Sequence, residues 1–314
     1  MAVSLSRKYH VPLVFTYHTQ YGEYLHYLKP FQKQNHEITV RMQQKMKEMI
    51  PLYMNHFMKS VSLVFAPSRD MKKELLRQKD VPIVQVLPTG LSEEAFQKDT
   101  ENIRTIRNKY LKDEKYLLLT VSRLEKEKNL YFLLDSISHL DQSLDETFKM
   151  MIIGDGGEKN TLQEYVREIG LEQRVIFTGE IPNKEISHYL GASDLFVFSS
   201  KSETQGIVLS EAMAAGLAVV AVEACGVRDI VKNGVNGCMT AEDAKTFAEV
   251  TGRLLVHEEI RKKMSKEALA TAGNYEISKV AKQAVVGYEY AIEVWWNNYE
   301  RRRYRYECRK ADAV

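Results

Sequence analysis

The feature that most narrows the fold is an alternation. Apolar runs of four to six residues recur at 11–16, 62–66, 83–87, 116–121, 149–153, 175–178, 195–198, 217–222 and, more weakly, 237–240. Runs of that length suit strands buried on both faces. The stretches between them carry apolar residues at helical spacing. Helices are therefore expected at about 36–60, 68–78, 101–111, 129–139, 158–169, 184–191, 206–215, 226–232, 242–254 and 257–270. Strand followed by helix, repeated, reads as βα units around parallel sheets, an α/β chain of Rossmann-like, doubly wound domains.

A domain boundary is expected near 98–113, where the sequence turns polar and charged before a fresh βα series begins at Leu117. This divides the chain into a first domain over 1–100, a second domain over 113–275 and a helical tail over 276–314 that packs back or contacts a membrane. The second series has at least five strands and forms a complete doubly wound unit. The first has only three, which leaves a small core and a poorly covered edge. It reads as an incomplete domain, with residues 1–9 as the tail of a helix.

Composition excludes several classes. With 314 residues, 44% hydrophobic and 27% charged, the chain is an ordinary globular protein. Its longest apolar run, 212–222, is well short of the ~20 residues a membrane span needs. Arg7, Lys8 and His10 interrupt any secretory signal. Cys225, Cys238 and Cys308 lack metal-ligand spacing and suit a reducing cytosol. A net charge of +2 argues against nucleic acid as a partner. The charge is uneven, however: residues 1–60 carry a net +5 and residues 300–310 a net +4. Basic ends suit an anionic surface, and a membrane face is one candidate.

Four stretches carry chemistry. In 195–222 an apolar run ends at Ser199, a polar loop follows, and Gly206 permits a turn into a helix. The amides of Thr204, Gln205, Gly206 and Ile207 are expected at that helix start, where backbone N–H groups lack partners and attract anions or hydroxyls. Glu203 stands before the helix and Glu211 two turns inside it, so both can face one elongated ligand. In 117–134, Arg123 follows a strand and Lys128 opens the next helix. Ligands of open α/β sheets collect at such carboxyl ends, and two cations there would neutralise a diphosphate. A plain surface arrangement competes, with Glu125 and Glu127 satisfying both. In 151–162, G-D-G-G suits close approach of a nucleotide or simply a tight turn. In 15–30, His18 follows a strand among several tyrosines, as a structural histidine or one facing the same cleft.

Two further stretches suit a lipid surface or plain packing. Met42, Met46, Met49, Ile50, Tyr53 and Phe57 form a stripe on a helix that Pro51 is expected to kink. Tyr288, Ile292, Trp295 and Tyr299 share a helical stripe beside Arg301, Arg302, Arg303 and Arg305.

Taken together, the motifs SETQGIVLSEAMAAG, SRLEKEKNL, IIGDGGEKNTL, VIFTGEIP, GVRDIVKNGVNG and TYHTQYGEYLHY resemble the retaining glycosyltransferases of family four. Within that family the similarity is to bacterial 1,2-diacylglycerol glucosyltransferases, and it covers nearly the whole chain. The resemblance implies a GT-B fold of two Rossmann-like domains and transfer of glucose from UDP-glucose to a lipid acceptor, diacylglycerol, in glycolipid synthesis. It implies that Arg123 and Lys128 hold the UDP diphosphate and that Glu211 binds the ribose hydroxyls. Glu203 and the amides of Thr204 to Ile207 take the transferred sugar, Gly179 and Ile181 edge the base, and His18 contacts the sugar near the reacting carbon. No obligate cofactor or metal is implied, and Mg²⁺ is expected at most to stimulate. The implied location is the cytoplasmic face of the plasma membrane, held peripherally.

Two departures bear on activity. The family's glycine-rich opening loop, roughly a hundred residues before the histidine loop, is not in this sequence, which leaves open a fragment that binds nucleotide-sugar without turnover. A different acceptor on the same fold is the other alternative. Ser199 and Ala218 stand where the family usually has proline. Both are expected to be packing positions with modest effects.

Overall fold

The computed structural model describes residues 1–18, 37–78 and 81–311. It divides into two compact units, residues 1–88 with 280–314, and residues 89–279.

The first unit holds a three-stranded parallel sheet in the order β1 (Val14–Thr16), β2 (Leu63–Ala66), β3 (Ile83–Val86). Before it lies α1 (Ala2–Tyr9), and between its strands lie α2 (Glu37–Met58) and α3 (Arg69–Leu76). The helix α2 continues past Pro51 to Met58. Ser68 caps α3 by accepting from the Met71 amide at 3.2 Å. The central strand is wholly buried.

The last helix, α12 (Ile277–Ala311), belongs to this unit from Val280 onward. Ala291 is buried with Leu63 and Phe65. The Tyr288 ring meets Phe65 edge-on at 5.5 Å. A β-carbon at Gly287 would stand 2.5 Å from the Phe65 ring, so only glycine lets the helix approach that closely. The helix that the sequence marks as a tail is thus part of the core of the first unit.

The second unit is built on six parallel strands in the order β6–β5–β4–β7–β8–β9. They are β4 (Tyr116–Val121), β5 (Phe148–Ile153), β6 (Val175–Gly179), β7 (Leu195–Phe198), β8 (Val219–Val222) and β9 (Gly237–Thr240). The helices of this unit are α4 (Thr100–Tyr110), α5 (Leu130–Ser143), α6 (Lys159–Glu168), α7 (Asn183–Ala192), α8 (Ile207–Ala214), α9 (Val227–Ile230), α10 (Ala244–Val256) and α11 (Glu258–Ala272). Side chains along a strand alternate between faces. Accordingly Leu118 and Met150 join α5 and α10 in one core, while Leu117, Leu119 and Met151 join α8 and α11 in the other.

The boundary falls earlier than the sequence suggests. Residues 89–112 pack with the second unit. Leu91 is buried in its core, and Arg107 pairs with Asp194 at 2.9 Å. The polar, charged stretch 98–113 suggests a boundary because the few apolar residues of its helix, Ile103, Ile106 and Tyr110, share one face of α4. That face is the one α7 covers: Gly191 lies against Ile103.

Strand order reverses direction between β4 and β7, which are hydrogen-bonded neighbours although 77 residues separate Leu118 from Leu195. Beyond the carboxyl ends of two such strands their loops diverge and leave a crevice. That topology positions the candidate site.

Candidate functional site

The loop after β4 carries Ser122 and Arg123, then a 3-10 turn at Lys126–Lys128. Asn129 follows in the left-handed conformation, φ 56°, and turns the chain into α5. Asparagine is among the few non-glycine residues that accept this conformation readily. Its side-chain amide donates to Glu242 at 2.9 Å, which fixes the turn.

The loop after β7 carries Ser199, Ser200 and Glu203. It ends at Gly206, φ 73°, where α8 starts at Ile207. The helix begins later than the sequence suggests. The Thr204 and Gln205 amides precede it, and Glu211 lies just over one turn inside rather than two.

Across the crevice the two loops are joined by charge. Lys128 Nζ lies 2.6 Å from Glu203 Oε1, with only 12% and 17% of the two side chains exposed. Ser200 Oγ donates to the same carboxylate oxygen at 2.8 Å. Ser199 Oγ donates to the Lys128 backbone carbonyl at 2.8 Å. So two adjacent buried serines hold the two ends of one ion pair, Ser200 through the acid and Ser199 through the main chain of the base. Sequence reasoning passed over both, and treated Ser199 as a packing replacement. The available signal was a pair of hydroxyls ending an otherwise apolar strand.

The sequence reading sent Lys128 to a diphosphate and Glu203 to a sugar. In the structure these two groups neutralise each other. The competing surface reading fails for Lys128 too. Glu127 takes Arg123 at 3.0 Å, and Glu125 accepts the Gly157 amide at 3.0 Å. Arg123 is half exposed, on the same loop as Lys128.

Glu211 is partly buried, and its desolvation raises the carboxyl above its ordinary pKa near 4.5. Beside it, the Ser210 hydroxyl is buried without a hydrogen-bond partner among the described residues. The Gln205 side chain is committed elsewhere. Its oxygen accepts the Thr89 amide at 2.7 Å, and its nitrogen donates to the Thr89 carbonyl at 3.2 Å. This clamp orients the loop that carries Glu203 and Thr204.

The G-D-G-G loop after β5 lies against the β4 loop. Gly154 has φ 136°, and a β-carbon there would run into the Ser122 carbonyl oxygen. Its amide donates to the Gly179 carbonyl at 2.9 Å, so the ends of β5 and β6 are tied. Ile181 packs on the second core cluster just beyond.

His18 belongs to the first unit, two residues past the end of β1. The residue is exposed overall. Desolvation of the imidazole nevertheless lowers its pKa, which favours the neutral ring. The tyrosines and His26 after it lie outside the described residues. Among the described residues, no group of three or more His, Cys, Asp or Glu is placed to hold a metal ion, and no helix is long and apolar enough to cross a membrane.

The β4 and β7 loops thus bring the Lys128–Glu203 pair to the topological switch point, with Arg123 on the first loop and Glu211 in the helix that follows the second. Residues 102–271 match glycosyl transferases group 1, and residues 1–95 match glycosyltransferase family 4. The chain belongs to the group 1 glycosyltransferases. Curated relatives include two named alpha-monoglucosyldiacylglycerol synthase. The one from Streptococcus pneumoniae is 30% identical over 70% of this chain and 48% of its own length. The one from Acholeplasma laidlawii is 25% identical over 76% of this chain and 59% of its own length. The chain thus spans about half the length of these group 1 relatives. Among solved structures, Anabaena HepE in complex with UDP superposes with a TM-score of 0.72 at 22% identity, over 90% of this chain and 73% of that one. Sucrose-phosphate synthase from Thermosynechococcus elongatus does so with a TM-score of 0.72 at 20% identity, over 88% and 67%. These likenesses establish the GT-B architecture with its two Rossmann-like domains.

Proposed function

We propose that this chain is a retaining glucosyltransferase that moves glucose from UDP-glucose to a lipid acceptor, 1,2-diacylglycerol, at the cytoplasmic face of the plasma membrane. The observation that carries the reading is the enclosed Lys128–Glu203 pair at the β4/β7 switch point. An arriving diphosphate offers Lys128 a doubly charged partner in place of one carboxylate. Lys128 and Arg123, released from Glu127, then neutralise charge as it grows on the leaving phosphate. That growth is greatest in the transition state, so the stabilisation is catalytic and not merely binding. Glu203, freed from Lys128, accepts hydrogen bonds from sugar hydroxyls together with the amides of Thr204 to Ile207. Glu211 accepts from the ribose hydroxyls, and Gly179 and Ile181 border the base.

In the chemical step the acceptor hydroxyl oxygen bonds to the anomeric carbon on the face the phosphate leaves. The carbon–phosphate oxygen bond breaks, and the acceptor proton passes to the departing phosphate oxygen. Configuration is retained. His18 is assigned to the acceptor-side loop, where a neutral imidazole supplies one hydrogen bond without adding charge. The metal ion has no obligate role in this scheme.

The acceptor assignment is supported by the two relatives named as glucosyldiacylglycerol synthases. It is also supported by the surface of α2, where Met49, Leu52 and Tyr53 are exposed on a helix that also exposes Arg41, Lys45 and Glu48. Exposed apolar side chains on a helix that also carries Arg41 and Lys45 suit a peripheral seat on an anionic bilayer. The test is incubation of the purified protein with labelled UDP-glucose and mixed lipid acceptors. A labelled glucolipid, lost in Lys128→Ala and Glu211→Ala, is the expected result. Label on a different acceptor would correct the lipid assignment. UDP binding without any transfer would leave a nucleotide-sugar-binding fragment, and no UDP binding at all would end the site assignment.

A further inference from the structure

A third loop reaches the candidate site from the edge of the second unit's sheet. It follows β9, at the same carboxyl end of the parallel strands as the loops after β4 and β7, and carries Glu242. The Glu242 carboxylate touches both of those loops. Its Oε1 accepts from Asn129 Nδ2 at 2.9 Å and from Lys201 Nζ at 2.8 Å, and its Oε2 accepts from Lys201 Nζ at 2.9 Å. Asn129 directly follows Lys128, and Lys201 stands between Ser200 and Ser202, just before Glu203. One carboxylate therefore grips near neighbours of both members of the ion pair. Its bond to Lys201 above all holds the Glu242 carboxyl below its ordinary pKa, so both oxygens accept at neutral pH.

Two simpler roles do not account for this residue. Capping of α10 falls to Asp243, whose carboxylate accepts the Thr246 amide at 2.8 Å. Stability is not its main product either. The Lys201 and Glu242 side chains are 52% and 41% exposed, and exposed ion pairs contribute little to the fold. What the arrangement fixes is a spacing. In the free protein Lys128 and Glu203 hold their own loops together. In the reaction above that pair opens to admit the donor, when the two groups most need a set separation. The bond from Ser199 to the Lys128 carbonyl ties the β4 loop to the end of β7. Glu242 ties it to the stretch of the β7 loop that leads into Glu203.

We propose that Glu242 is a positioning residue for the reaction, holding the Lys128 and Glu203 loops at a fixed spacing once their direct ion pair has opened to the donor. The inference rests on the donor site read above. A constellation braced by such outer hydrogen bonds stays ordered when its own internal contacts are exchanged for substrate.

The test uses the whole chain, with UDP and UDP-glucose as probes. Hydrogen exchange is followed in the segments 122–130 and 199–206, with and without UDP, in the parent, Glu242→Ala and Glu242→Gln. Without UDP the Glu242→Ala loops should exchange like the parent's, because the Lys128–Glu203 pair is intact. With UDP bound they should exchange about tenfold faster than the parent's, and kcat for UDP-glucose should fall about tenfold with KM little changed, the mark of lost positioning. Glu242→Gln keeps an acceptor for Asn129 and Lys201 and should restore parent behaviour. Asn129→Gly accepts the left-handed turn and cuts one arm of the brace, and Lys201→Met cuts the other. Each should lower kcat in part.

A parent that binds no UDP would end the donor-site reading, and this inference with it. A parent that binds UDP, with loops that Glu242→Ala leaves unchanged, would overturn this inference alone, whether or not transfer follows. So would equal loosening with and without UDP, which marks a purely structural contact. A kcat lowered by Glu242→Ala but untouched by Asn129→Gly and Lys201→Met would also overturn it, because the carboxylate would then act by another route.

Discussion

Replacing both members of the Lys128–Glu203 pair should cost far less than replacing either one. At the observed 2.6 Å, two unit charges attract by about 6 kcal/mol at an effective dielectric of ~20. Removing each ion from water offsets several kcal/mol of that. A hydrogen bond between charged groups then contributes about 1.5–3 kcal/mol net. Lys128→Met strips Glu203 of its cation and leaves Ser200 as its recorded donor, an enclosed carboxylate without a counter-charge. That single change should cost about 3 kcal/mol. Glu203→Gln keeps the shape and an acceptor for Ser200 but strands the ammonium, at a similar cost. The double variant has no charge left to strand, so a coupling of about 1.5–3 kcal/mol should appear in the cycle. Because the chain folds as two units, one denaturant transition would mix them. Hydrogen exchange of the β4 and β7 peptides reads the second unit by itself. A coupling under about 0.5 kcal/mol, within the scatter of independent sites, would refute the argument that these groups share one desolvated bond.

Two other outcomes test the neighbouring loops. Glu211 has its carboxyl raised above 4.5 in the folded chain, so folding favours its protonated form. The stability this gives is fully present below the ordinary pKa and is lost as pH rises through the raised one. Glu211→Gln should therefore be more stable than the parent at pH 7, with the gap closing near pH 4. A gap in thermal unfolding that does not change with pH would show that charge is not its cause. Gly154→Ala combines a positive φ with collision against Ser122, and should destabilise the second unit by more than about 2 kcal/mol. Gly170→Ala, with φ 73° but open space around it, isolates the backbone strain and should cost about 1 kcal/mol. Equal losses by hydrogen exchange would mean the β4 and β5 loops do not press together as described.

The local order of this protein was legible because it rests on local physics. Apolar runs of strand length and helical periodicity each bury one continuous surface, and every such segment named from sequence is an element of the structure within a few residues. The serine before α3 and the glycine before α8 act within one turn of chain, so their signals are visible in the sequence. Gly206 takes a left-handed conformation directly before α8, and a sequence shows only that glycine permits this.

What tertiary structure decided is who meets whom. Lys128 and Glu203 stand 75 positions apart and touch only because β4 and β7 are neighbours where the strand order reverses. Ser199 looked like a substitute for proline until its hydroxyl was seen on the Lys128 carbonyl. Residues 98–113 read as a domain boundary because their charge is visible in the chain, while the face that α7 covers is not. Whether the tail packs back or meets a membrane stayed open in the sequence because nothing in its own residues names Phe65 as their partner. Periodicity records which residues seek burial. It carries no address, and partners distant in sequence are chosen by strand order and packing, which exist only once the chain has folded.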